Sequence, residues 1–291
     1  MPDIPYSPRK VDLFFPARSD NFFAGIPPDT PNDPALCAEM CRLAYCRKEP
    51  AFSFDRDRII AVLQQRGCSV QFFESQGTPD GMGTHCLLVA DPARQLAIAA
   101  FRGTDAIDPT DLFDDADALQ IAWPRGGNVH AGFAHALAYV QDNLLAAIHA
   151  LNLPIHYTGH SLGAAMATLL ASLRPPTHLY TIGSPRVGDN GFVATLAQVP
   201  ASRFVDCCDL VTRVPPEQVP GLGAYQHFGP PIYIFQNRTV ALDPGDDVIQ
   251  QDRLRAAADY LIQYAWHTGN VAVRDLADHA AINYVEALKE S

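Results

Sequence analysis

The chain has 291 residues, 48% of them apolar and only 18% charged, and carries a formal net charge of −11. That length supplies a core for one large domain or two small ones, and the composition excludes a disordered chain. The acidity argues against nucleic acid and against unassisted binding to anionic membranes, and no apolar run approaches the roughly 20 residues that span a bilayer.

The first fifteen residues, MPDIPYSPRKVDLFF, lack the basic-then-apolar plan of a secretory signal. A cytoplasmic site, or export by a route not written at the N-terminus, is the expectation. Residues 1–33 are proline-rich and read as an extended arm, with residues 34–291 as a single α/β domain. Asp33 and Pro34 suit the start of a helix running to Cys46, with Leu36, Met40, Leu43 and Ala44 on one face. A second helix, Asp55 to Gln65, ends at Gly67. Strands follow at Ser69–Glu74, His85–Ala90 and Gln95–Phe101, the last two joined by an Asp91-Pro92 turn. These form an antiparallel N-terminal hairpin region.

Residues 105–117, DAIDPTDLFDDAD, carry six aspartates and few apolar side chains. Beyond them Phe133, Leu137, Val140, Leu144 and Ile148 recur at helical spacing and predict one helix from Gly132 to Leu151. The stretch LNLPIHYTGHSLGAAMATLLASL, Leu151 to Leu173, then organises the chain. A β-like run, Ile155–Thr158, enters Gly159-His160-Ser161-Leu162-Gly163, and a helix-forming run leaves it. Strand, sharp turn, helix, with serine at the apex and glycine two residues to either side, is the pattern of a nucleophile elbow. The glycines permit close approach of strand and helix, and the Leu162 N–H lies at a helix N-terminus, where a developing oxyanion is favoured.

Further strands are expected at Leu179–Ile182, Arg203–Cys208 and Ile232–Gln236, then helices at about 248–267 and 275–289. Alternating strands and helices predict a mainly parallel central sheet flanked by helices. In such chains the acid and base follow the nucleophile. Asp209, at the end of a strand, is the preferred acid over Asp206, which lies within the strand. His227, His267 and His279 are the histidines in range. In the 248–267 helix, Ile249, Leu254, Ala257, Ala258, Leu261 and Ile262 are expected to pack into the core; a flap or a partner surface is the minority reading. The seven cysteines are odd in number and include the adjacent pair Cys207-Cys208; they read as reduced thiols, mostly core residues.

Several further segments share one order with a known family: Phe101-Arg102-Gly103-Thr104, His130-Ala131-Gly132-Phe133, the elbow, and Gly183-Ser184-Pro185-Arg186-Val187-Gly188. Asp209-Leu210-Val211 runs on to Val214-Pro215-Pro216, Tyr225-Gln226-His227-Phe228-Gly229 follows, and Asp278-His279 precedes Tyr284. Together they resemble the lipase class 3 family of fungal triacylglycerol lipases and related feruloyl esterases, over most of residues 85–285. The resemblance implies an α/β-hydrolase fold, with Ser161 as nucleophile, Asp209 as acid and His279 as base. It further implies an oxyanion hole from Thr104 and Leu162, a lid at 105–117, and no metal or cofactor. Arg102 would brace the turn under Thr104, pairing with Asp114 or Asp117. His130 would position that loop or pack beside it, and His160 reads as packing more than catalysis. Thr212 stands where the family usually has proline, and Leu112 or Phe113 where it has tryptophan. The implied activity is hydrolysis of carboxylic esters: acylglycerols or other fatty acyl esters, with phospholipid at the A1 position and aromatic acyl esters as alternatives within the fold. A non-catalytic lipase-like scaffold is the rival class. The implied partner is an ester or lipid substrate, with at most weak interfacial contact through the acidic lid.

Overall fold

Chain order and spatial order coincide across the central sheet. In the computed structural model, which describes residues 4–48, 53–75, 83–103, 119–219 and 223–290, eight strands join in one sheet. They are β1 Ser69–Glu74, β2 His85–Asp91, β3 Leu96–Phe101, β4 Ile155–His160, β5 His178–Ile182, β6 Ala201–Asp206, β7 Pro231–Ile234 and β8 Val240–Leu242, in that order from one edge to the other. β1, β2 and β3 form an antiparallel meander. β3 to β7 are parallel, and β8 closes the edge antiparallel to β7. A parallel pair needs a crossover, and the crossovers carry helices.

The helices are α1 Lys10–Phe14, α2 Asp33–Leu43, α3 Arg56–Gln64, α4 Ala131–Ala138, α5 Gln141–Leu151, α6 Leu162–Leu173, α7 Asn190–Ala194, α8 Asp246–Gln263, α9 Arg274–Ala277 and α10 Ala281–Lys289. Strand alternation sorts them onto two faces. Leu87, Val89, Ile98 and Ala100 pack with residues of α2, α3 and α10. Their neighbours Cys86, Leu88, Ala97, Ala99 and Phe101 pack with α4 to α7. With both faces covered, β3 is buried along its whole length. Met166, Leu169 and Leu170 of α6 are wholly buried, each contributing on the order of 2 kcal/mol of apolar transfer.

Two predicted helices are broken where the sequence reads them as continuous, and one predicted strand ends early. The helix expected over 132–151 divides at Tyr139–Val140, where the Val140 N–H closes a tighter turn onto the Leu137 carbonyl. Its five apolar residues all remain buried, so the spacing reports the face correctly and the axis wrongly. The strand expected to reach Cys208 stops at Asp206, where pairing with β7 ends. Cys207 and Cys208 turn the chain, and the Asp209 N–H closes onto the Asp206 carbonyl. The tail helix expected over 275–289 breaks at Asp278–Ala280. The buried Asp278 carboxylate accepts from Cys208 N–H (2.9 Å), the Tyr6 hydroxyl (2.8 Å) and Arg274 Nε (3.0 Å), and Ala280 is extended. A side chain held from three directions fixes a turn that helical periodicity does not register.

The described part of the proline-rich segment is not uniformly extended. It includes α1, buries Leu13, Ala17, Phe23 and Ile26, and ties Tyr6 and Ser7 to Asp278 and Asn283. The hairpin pairing 120–122 with 128–130, the edge strand β8 and the short α7 carry no signal in the sequence reading.

Candidate active site

Ser161 sits between β4 and α6 with φ 59° and ψ −130°, a conformation that costs a non-glycine residue on the order of 1–3 kcal/mol. The turn survives because its neighbours have no Cβ. A methyl on Gly159 would strike the backbone of Gly163, and one on Gly163 the carbonyl of Phe101. Gly103 fits only because a Cβ there would meet the Tyr45 hydroxyl, the His160 carbonyl and Ser161 Cβ. Ser161 is buried, its own N–H bonded to the Ile182 carbonyl. Leu162 opens α6, so its N–H is among the first-turn donors that a helix leaves free. Thr104, the other predicted oxyanion donor, and the predicted lid at 105–117 lie outside the described residues.

His279 lies in the break between α9 and α10. Its Nδ1 is 3.0 Å from each carboxylate oxygen of Asp209. A carboxylate only accepts, so Nδ1 carries the hydrogen and Nε2 of the neutral ring keeps its lone pair. Asp209 is fully buried and also accepts from Val211 N–H (2.9 Å) and the Tyr284 hydroxyl (2.6 Å). Burial, with the Asp209 charge beside it, pushes the Tyr284 phenol well above its ordinary value and keeps it a donor. The Asp206 N–H in turn donates to the Tyr284 oxygen (3.0 Å). Gly183, at φ 58°, lies against this group, since a Cβ there would fall within contact of Asp209, Tyr284 and His279.

The remaining candidates are distributed around this pair. His160 stacks near His279, ring centroids 4.5 Å apart at 31°. Its Nε2 donates to the His279 carbonyl (2.9 Å), so its Nδ1 accepts from the Tyr45 hydroxyl (2.7 Å). Burial, reinforced by His279, holds His160 well below the usual imidazole value, hence neutral. The expectation of mere packing therefore understates it: both ring nitrogens are engaged, one on the backbone of His279. Arg102 is buried and donates to the Gly83 carbonyl (3.2 Å); Asp114 and Asp117, its expected partners, lie outside the described residues. His130 stacks on Phe133 at 4.0 Å beside Tyr225.

Of the other histidines in range, His227 donates to the Thr212 carbonyl (2.7 Å), and His267 is exposed against Trp266. Asp206, the second acid candidate, faces away into a bidentate pair with Arg238 (2.8 Å to each oxygen). Tyr45 and the bonding of Tyr284 were missed by sequence reasoning. Tyr284 follows His279 by five residues, a spacing that hints at one helix end; Tyr45 carries no signal. Cys207, Cys208 and Asp278 bring three potential metal donors within 4.8 Å. Those groups already serve other partners: Asp278 is ion-paired with Arg274, Cys207 Sγ faces Asp252 and Cys208 Sγ the Arg253 carbonyl. The donor set fits a buried hydrogen-bond network better than a ligand cage.

Residues 98–219 match the model of the lipase (class 3) family. Over that stretch the chain resembles the lipase class 3 family. The match contains the elbow and Asp209 and ends before His279. Relatives include a secreted mono- and diacylglycerol lipase of Fusarium solani, 31% identical over 54% of this chain and 49% of its own. A lipase of Rhizomucor miehei is 27% identical over 53% and 46%, and the toxin TseL of Vibrio cholerae 32% identical over 54% and 26%. The chain thus spans half or less of these curated relatives. Among solved structures, the Rhizomucor miehei lipase in complex with its propeptide superposes with a TM-score of 0.55 at 22% identity, over 72% of this chain and 69% of that one. A mutant form of MDLA from Penicillium cyclopium covers 90% and 96%, with TM-score 0.56 and 22% identity. The fold is that of the α/β-hydrolases, a mostly parallel sheet flanked by helices.

Proposed function

We propose that this chain is a serine-dependent carboxylic ester hydrolase of the lipase class 3 type, acting on acylglycerols or other fatty acyl esters. The observation that carries the reading is the buried Asp209–His279 pair, 3.0 Å apart, packed with His160 beside a serine in a strained elbow. Nε2 of His279 takes the Ser161 proton as the hydroxyl attacks the ester carbonyl. Asp209 holds the ring in that tautomer and stabilises the imidazolium. The Leu162 and Thr104 N–H groups receive the oxyanion, each worth about 10²–10³ in rate by analogy with measured oxyanion donors. The imidazolium returns its proton to the leaving alkoxide, and water releases the acyl group from Ser161 by the same steps. No step calls for a metal or cofactor.

The test is turnover of nitrophenyl esters from two-carbon to sixteen-carbon acyl chains, beside Ser161→Ala, His279→Ala and His267→Ala. Loss of about 10⁴-fold or more in the first two, with His267→Ala near the parent, is the expected result, because members of a triad act as a unit. Turnover that persists in Ser161→Ala would overturn the reading. A maximum at eight carbons or more would mark a lipase, and a short-chain maximum a carboxylesterase.

A further inference from the structure

α8 does not keep the place that its apolar composition predicts. Ile249 is buried as expected, together with Ala256 and Tyr260, but Leu254 is 67% exposed, Leu261 58% and Ile262 74%. At about 100° per residue these three and Ala258 fall within one sector of roughly 100°. Trp266, just past the helix end, is 70% exposed, and its indole N–H bonds the Ile262 carbonyl (2.8 Å), which fixes the ring beside the stripe. Of the ten exposed large apolar side chains among the described residues, four lie between 254 and 266. Scattered exposed leucines need no explanation; a concentration does.

The charges of α8 are arranged around this stripe. Asp252 turns inward to the Tyr233 hydroxyl (3.1 Å) and the Gln236 N–H (3.0 Å), and Asp259 accepts from the Gln236 side chain (2.6 Å). Between Leu254 and Ile262 the sector holds no charged residue; Asp247 closes it at the helix N-terminus and Arg255 flanks it. In a chain of net charge −11 such a neutral strip is suited to an uncharged or zwitterionic surface, and the rest of the molecule opposes an anionic one. The apolar area on offer is on the order of 500 Å², below the ~800 Å² per side of a standard protein interface, which disfavours a stable dimer. A fixed, exposed tryptophan at the end of an exposed apolar stripe suits a lipid–water interface, where an amphipathic indole sits at the headgroup level. Beside the stripe, Leu254 also lines a cavity of about 510 Å³ with Ile249, Arg253 and Asp275, and neither Ser161, Asp209 nor His279 lines it.

We propose that the outer face of α8, with Trp266, docks the protein reversibly on a neutral or zwitterionic lipid–water interface, a role that the acidic 105–117 segment is poorly composed to fill. The proposal concerns where the ester chemistry above is presented, but its test does not depend on that chemistry. The full chain carrying Ser161→Ala is sedimented with sucrose-loaded phosphatidylcholine vesicles, beside the same chain with Leu254→Gln, Leu261→Gln and Ile262→Gln. Melting curves check that these exposed changes leave the fold intact. The expected result is at least a five-fold loss of vesicle-bound protein in the triple variant, weaker binding of the parent to phosphatidylglycerol vesicles, and a monomer in both chains. With Ser161 restored, turnover of the soluble nitrophenyl butyrate should be unchanged by the triple substitution. Absence of turnover together with vesicle binding lost in the triple variant would remove the hydrolase reading and leave the surface standing. Equal vesicle binding by both chains, no binding by the parent, or a parental dimer that the triple variant dissociates would each overturn the proposal.

Discussion

The two ends of the candidate site are built by opposite means. At the elbow, backbone meets backbone: Gly159, Gly163 and Gly103 admit contacts that any Cβ would block, and the strained Ser161 is held because the chain has nowhere else to go. At the Asp209–His279 end the backbone is loose, a turn and a helix break, and buried side chains hold it instead. Two ion pairs, Arg238–Asp206 and Arg274–Asp278, lie behind it, all four groups nearly or wholly buried. Elbow geometry therefore rests on close backbone approach among Gly159, Gly163, Gly103 and Phe101, while the geometry at Asp209 and His279 depends on side-chain partners such as Tyr6 and Asp278, 272 residues apart.

This contrast can be broken most sharply at the elbow. Gly163→Ala places a methyl against the Phe101 carbonyl of β3, where neither backbone can yield without opening the sheet. A loss above about 3 kcal/mol, or no soluble protein, is expected from urea unfolding, in the range reserved for overpacking and strain. A variant with the parent's unfolding midpoint would mean that the elbow is not closely packed. At the other end, Arg238→Met strands the Asp206 carboxylate, fully buried, and should cost about 3–5 kcal/mol. The double change Arg238→Met with Asp206→Leu should recover most of that, because replacing both partners removes the unpaired charge. No recovery would mean that the pair acts through packing alone.

The same contrast explains what could be read from the sequence. Ser161, the glycines, the alternation that makes β2 to β7, and the apolar face of α4 and α5 are local patterns, legible over a few residues. Asp209 and His279 were legible as candidates through their order after the serine and a family resemblance, since no local pattern separates His279 from His267. The break at Asp278–Ala280, which sets His279 apart from both helices, was not legible, because its cause is a carboxylate bonded to Cys208 and Tyr6 far away in the chain. The outer face of α8 was misread for the converse reason. Apolar residues at helical spacing state that a helix has a greasy side, and not whether anything covers it.

Acid should act on both ends together. Burial holds His160, at the elbow, and His227, on the acid loop, below the ordinary imidazole value, and pushes His85 down to about 4. Unfolded, these rings take up protons near pH 6.5; folded, they resist until lower pH. Between those values the unfolded chain binds more protons, so stability rises with pH. It is complete above about 6.5 and drains as pH falls toward the folded values, by at most about 1.4 kcal/mol per pH unit for each ring. Unfolding free energies at pH 7.5, 6.5 and 5.5 should show this slope, and a flat profile would mean that water reaches the rings.

The smallest expected effect is the one that joins the two ends. Tyr45 donates to His160, and His160 donates to the backbone of His279, so a side chain next to Ser161 helps to hold His279. Tyr45→Phe keeps the ring and deletes the donor, leaving Nδ1 of His160 buried without its partner, at a cost of about 1 kcal/mol. If His160 only fills space, the change should lower stability by that amount and leave turnover of a soluble ester as it was. If it positions His279, kcat should fall by a factor of about two to ten with KM little altered, since the misplaced group acts after the ester has bound. Unequal losses in kcat and KM therefore separate the two roles. A rise in KM alone would instead move Tyr45 to the substrate side of the site and make the two ends of the site independent structures.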